Sequence, residues 1–168
     1  MLRARLLGRL EVELDGTVVE SAASQRPWAL FAYLALAGRP VARAELIDTF
    51  WPDVLDRSAR ASLRSSLWSL RRQISASLLV EGDHAALHDD DGVWIDAHEF
   101  EQLAAAEPLA ALQLCRGELL EGFEEDWARS ARERHRERVI ELLEALAQAA
   151  ATRRSGRGAD AHAPSGRA

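Results

Sequence analysis

The chain has 168 residues, 48% of them hydrophobic, and a formal net charge of −6 at neutral pH. This length fits one domain, or a small domain with part of another, and the apolar fraction suffices for a core. With no unbroken apolar run of about 18 residues, no membrane span is expected, and the opening MLRARLLGRL is too short and too interrupted by arginine for a signal peptide.

The lone cysteine, Cys115, excludes an internal disulfide and fits a reducing, cytoplasmic location. All 21 basic residues are arginine, a pattern that reflects coding bias more than chemistry. Their distribution is uneven. Residues 57–80 hold five arginines and no acid, whereas residues 81–107 hold nine acids and no arginine. A globally acidic protein receives no long-range attraction toward nucleic acid, so any such binding depends on a local patch.

In chain order, residues 3–20 alternate apolar and polar positions around Asp15-Gly16, a hairpin signal with strands near 4–14 and 17–20. Ser24 offers an N-cap and Pro27 suits a first helical turn. The helix from Trp28 through Leu36 stops at Gly38 and Pro40. A shorter helix covers about 43–50 and ends before Pro52, because the residue before a proline disfavours the helical region.

A third helix then carries RSARASLRSSLWSLRRQI over Arg57–Ile74. At about 100° per residue, Leu63, Leu67, Leu70 and Ile74 form one narrow apolar stripe. Arg57, Arg60, Arg64 and Arg71 cluster on one flank, and Ser62, Ser65, Ser66 and Ser69 on the other. One buried edge with an uncompensated cationic flank suits a seat against nucleic acid. It also describes an ordinary surface helix, since arginine stems cover apolar surface well. Beyond it, Leu78–Val80, a turn at Glu81–His84, Ala85–His88 and Val93–Ile95 read as short strands broken by an acidic DDDG loop.

Other constellations carry less chemistry. His84, His88, Asp89, Asp90, Asp91, Asp96, His98 and Glu99 hold metal-ligating groups. Their spacing matches no zinc motif, and a solvated acidic loop accounts for them better. Asp96, His98 and Glu99 are expected to cap a helix beginning near Phe100. Cys115 falls at helical spacing in LQLCRGELL, where cysteine behaves as a small apolar group. No nucleophile elbow, phosphate loop or comparable catalytic motif is present, so neither an enzyme nor a cofactor is expected. Trp28, Trp51 and Trp94 fit a core, and packing is also favoured for Trp68.

The region RLLGRLEVELDG, the helix PWALFAYLALAGRPV, the segment RAELIDTFWPD and then SARASLRSSLWSLRR together resemble the OmpR/PhoB-type winged helix-turn-helix. The version they resemble most is that of the SARP regulators, bacterial proteins carrying a bacterial transcriptional activator domain. VWIDAHEFEQL and LQLCRGELLEGFEEDWARSARERHRERVIELLEAL resemble the start of that second domain. The resemblance implies DNA binding at promoters and contact with RNA polymerase. It also implies that the third helix lies in the major groove, with Ser62, Ser65, Ser66 and Ser69 toward the bases and Arg60, Arg64, Arg71 and Arg72 as phosphate anchors or structural ties. Serines make no bidentate base pair contact, so such a face discriminates weakly. The acidic wing departs from the family pattern, because Glu81, Asp83 and Asp89–Asp91 repel phosphate.

The expected protein is therefore α+β. A winged helix-turn-helix covers about 1–97, with a small N-terminal sheet, three helices and a C-terminal hairpin. A short all-α helical-repeat segment follows at about 98–152, and a disordered tail from 153. The rival reading is a protein-interaction module with weak or no DNA binding. Finally, Trp127, Ala131, Val139, Leu142, Leu143, Leu146 and Ala149 gather on one helical face over 127–150. That face is expected to be short of cover and to form a homodimer.

Overall fold

The computed structural model describes residues 1–19, 25–74, 77–87 and 92–160. Strands β1 (Leu2–Arg5), β2 (Glu11–Leu14) and β3 (Thr17–Val19) form an antiparallel meander. Between β2 and β3, Asp15 and Gly16 take φ values of 51° and 79°. Positive φ at both central residues gives the two-residue turn whose twist matches the flanking strands. The single strand expected over 4–14 is interrupted around Gly8, where φ is 139°. There the chain turns to bond a distant loop instead: Arg116 N–H donates to the Leu7 carbonyl (3.0 Å), Leu120 N–H to Leu6 (2.8 Å) and Glu121 N–H to Gly8 (3.0 Å).

Helix α1 (Arg26–Ala37) carries Pro27 in its first turn and buries Trp28, Leu30, Phe31 and Leu34. Gly38, at φ 56°, ends it by donating its N–H back to the Leu34 carbonyl at 3.3 Å. The cap expected at Ser24 lies outside the described residues. A two-residue strand β4 (Val41–Ala42) leads into α2 (Arg43–Phe50) and then α3 (Asp56–Ile74). The hairpin of β5 (Leu78–Glu81) and β6 (His84–Leu87) joins β4 in a three-stranded sheet ordered β4-β6-β5. Strand β7 (Val93–Ile95) returns to pair parallel with β1 and completes the other sheet, ordered β3-β2-β1-β7. This α+β arrangement, with two helices and a longer third between a small sheet and a hairpin wing, is the winged helix that the sequence led us to expect.

Helices α4 (Asp96–Ala106), α5 (Pro108–Leu114) and α6 (Asp126–Asp160) follow. They share one apolar core with the winged helix, running from Leu2 and Phe31 through Phe100 and Phe123 to Leu142. Trp127 at the start of α6 packs against Tyr33, Phe50 and Phe123 at ring separations of 5.3, 5.7 and 6.2 Å. Arg132 clamps the preceding loop by donating to the Leu119, Leu120 and Phe123 carbonyls.

Helix α6 continues to Asp160, and its run ALAQAAATRR consists mainly of strong helix formers. Residues 161–168 lie outside the described part. One expectation for this region is corrected: the apolar face of 127–150 is better covered than expected. Trp127, Ala131, Val139 and Leu142 reach the core, which leaves Ile140 and Leu143 as the exposed large apolar groups of α6. Among the described residues no helix is long and apolar enough to cross a membrane.

Candidate nucleic-acid interface

Helix α3 packs on α1 and α2 through Ala59, Leu63, Ser66, Leu67, Leu70 and Ile74. This is the predicted stripe widened by two small buried residues, Ala59 and Ser66. The widening corrects the serine flank. Ser66 is only 8% exposed, Ser62 and Ser69 are half-buried, and Ser65 alone of the four stands on the open face.

The outward face instead consists of Arg57, Ser58, Arg60, Ala61, Arg64, Ser65, Trp68, Arg71 and Arg72. Arg60 is partly neutralised, because its Nε sits 2.9 Å from both carboxylate oxygens of Asp56, one turn earlier. Such an exposed pair adds little stability, but it removes one cation from the free set. Arg57, Arg64 and Arg71 form no ion pair with any described carboxylate. Trp68 does not pack into the interior as expected: it is 62% exposed, and the Arg72 guanidinium lies over its ring at 4.9 Å. The indole is left outside because its position lies opposite the buried stripe.

Two concavities border this face. A cavity of about 250 Å³ between α2, the start of α3 and the wing turn is lined by Arg43, Asp48, Asp56, Arg60, Arg64 and Asp83, a mixed-sign set. A groove along the wing side of α3 is lined by Arg43, Arg64, Leu67, Trp68, Arg71 and Val80. Arg43 belongs to both, and sequence reasoning missed it. Its amide N–H donates to the Asp83 carbonyl at 2.8 Å, while its Nε is buried without a hydrogen-bond partner. Its place as the first residue of the second helix was the available signal.

The wing turn exposes Glu81, Asp83 and His84, so the acidic character read from the sequence is real at its tip. His88 and Asp89–Asp91 lie outside the described residues. Among the described residues no group of three or more His, Cys, Asp or Glu side chains is placed to hold a metal.

The capping expectation is corrected as well. Helix α4 begins at Asp96 itself, and its carboxylate is 1% exposed. The two oxygens accept from the Leu6 and Leu7 N–H groups at 2.7 and 3.1 Å. Burial pushes this carboxyl above its usual range against the pull of those amides. Glu99 accepts from the Trp94 indole at 3.3 Å, and His98 lies 3.4 Å from the Leu36 carbonyl. Cys115 sits 3.7 Å from His135. Burial raises the thiol and lowers the imidazole, so both are held neutral and the pair lacks the thiolate that a nucleophile requires.

No family model matches the chain. Among curated proteins it is similar to the regulatory protein AfsR of Streptomyces coelicolor, 29% identical over 160 residues, which cover 85% of this chain. The match spans only 16% of that relative. Among solved structures, Mycobacterium tuberculosis EmbR in complex with a low affinity phosphopeptide shares the fold at a TM-score of 0.64 and 22% identity. That likeness covers 84% of this chain and 43% of the other. The chain is thus similar in sequence to the part of a regulatory protein that it spans, and it shares with EmbR the fold of a winged helix-turn-helix followed by a helical segment.

Proposed function

We propose that the chain regulates transcription by binding double-stranded DNA, with the outward face of α3 in the major groove and its partner machinery, RNA polymerase, recruited from the same promoter. The observation that carries this is the row Arg57, Arg64 and Arg71, three cations without an ion-pair partner among the described residues, in a protein of net charge −6. They recur every seven residues along one edge of the helix, a span of about 21 Å at 1.5 Å per residue, which suits phosphates lining a groove. Arg60, tied to Asp56, contributes less. Arg43, at the α2 end of the same edge, extends the row. DNA affinity then comes from a few phosphate contacts rather than from the field of the whole molecule.

A second reading, a protein-interaction module without DNA contact, draws on the exposed Glu81 and Asp83 at the wing turn. That tip would repel phosphate, so the DNA reading requires the wing to stand off the backbone. A gel shift against a randomised duplex pool at two salt concentrations separates the two. Retention that weakens with salt supports DNA binding, and no retention at either concentration supports the alternative.

A further inference from the structure

We infer that Trp68, with Arg72 stacked upon it, is the sequence-reading element of this face: the indole takes a thymine methyl group and the guanidinium an adjacent guanine. The inference rests on the proposal that α3 enters the major groove. At about 100° per residue, Ala61, Ser65, Trp68 and Arg72 fall within roughly 60° of one another, opposite the buried stripe. Arg64 and Arg71 lie to one side, along the groove shared with Val80 of the wing strand. A helix whose cationic edge meets phosphate therefore directs the Trp68 sector toward the groove floor.

The residues on that sector differ sharply in reach. Ala61 and Ser65, the two sector residues N-terminal to Trp68, are short, so the exposed indole projects farthest. Its ring is held by the Arg72 guanidinium at 4.9 Å, which also fixes the donor fork of that arginine before binding. The recognition chemistry follows. An apolar ring face suits the thymine methyl, the one hydrocarbon group that the four base pairs show in the major groove, and a guanidinium suits guanine O6 and N7. Arg64, Arg71 and Arg72 surround the indole with positive charge. A polyanion fits that setting, and an apolar protein surface does not.

The test selects preferred sites from a randomised duplex pool with the parent protein, Trp68→Ala and Arg72→Ala. The parent should select a motif containing thymine beside guanine. Replacing that thymine by deoxyuridine removes only the methyl group and should weaken the parent about three- to fivefold, from the usual worth of one buried methyl group. Trp68→Ala should still bind DNA but show no thymine-to-deoxyuridine difference, and Arg72→Ala should lose the guanine preference. The base substitution on the parent requires no variant, so it holds whatever the variants do to folding. An unchanged motif in Trp68→Ala, or parent binding indifferent to the methyl group, overturns the inference while leaving DNA binding intact. A parent that binds no duplex at all overturns the underlying proposal as well.

Discussion

Asp96 is the joint between the winged helix and the helices that follow, and removing its carboxylate should loosen both. The side chain is 1% exposed, and its two oxygens accept the Leu6 and Leu7 amides at 2.7 and 3.1 Å. Asp96→Ala leaves those two N–H groups buried without partners at the point where the chain leaves β1. Each hydrogen bond to a charged group contributes roughly 1.5–3 kcal/mol, and an orphaned buried donor costs about as much. Part of that is offset, because burial already penalises the charged carboxylate and pushes its titration above the usual range. A net loss of about 2–4 kcal/mol follows, or about 4–16 °C in Tm for a protein of this size. Asp96→Asn keeps one acceptor but turns an amide group toward a backbone donor, and should fall between the parent and the alanine variant. Thermal and urea unfolding followed by circular dichroism give the answer. A loss below about 1 kcal/mol for the alanine variant would mean that water or a relaxed backbone satisfies Leu6 and Leu7, and that the joint lies elsewhere.

Two further outcomes follow from the helical segment. His135 packs edge-on against Phe100 at 4.7 Å, and burial lowers its proton affinity below that of an ordinary histidine, about 6.5. Below pH 6.5 the unfolded chain therefore binds a proton that the folded chain refuses, and stability falls on acidification. His135→Gln should lose less Tm than the parent between pH 7.5 and 5, and parallel curves would contradict the burial argument. Ile140 and Leu143 remain 48% and 51% exposed on α6, and the homodimer expected from the sequence would have to form through them. A mass that rises with concentration in light scattering should become constant in the double variant Ile140→Glu, Leu143→Glu. A parent that stays monomeric across the micromolar range refutes association through this helix.

Local signals placed most of the fold. Asp15-Gly16 made its hairpin, Gly38 ended α1 in the left-handed conformation, and Pro52 bounded α2 at Phe50, each through backbone preferences that act within a few residues. The buried stripe of α3 was legible for the same reason, since leucines at helical spacing announce their own face. Which flank of that stripe faces outward was not. The answer depends on which residues beside the leucines are buried, and Ala59 and Ser66, both buried, look neutral or polar in sequence. Asp96 was misread as a cap because its partners, Leu6 and Leu7, lie some ninety positions earlier. Arg43 was overlooked because an arginine at a helix start carries no pattern, and its placement beside Asp83 depends on the wing folding back.

The central claim, that the outward arginines of α3 hold DNA by its phosphates, is tested most directly by salt dependence. Affinity for duplex DNA is measured by fluorescence anisotropy over a range of salt for the parent and for Arg64→Ala with Arg71→Ala. The logarithm of the binding constant falls with the logarithm of salt at about 0.9 per phosphate contact. The double variant should therefore bind all sequences more weakly, with a slope shallower by about two. Equal slopes and affinities in a folded double variant would contradict the account and remove α3 from the interface.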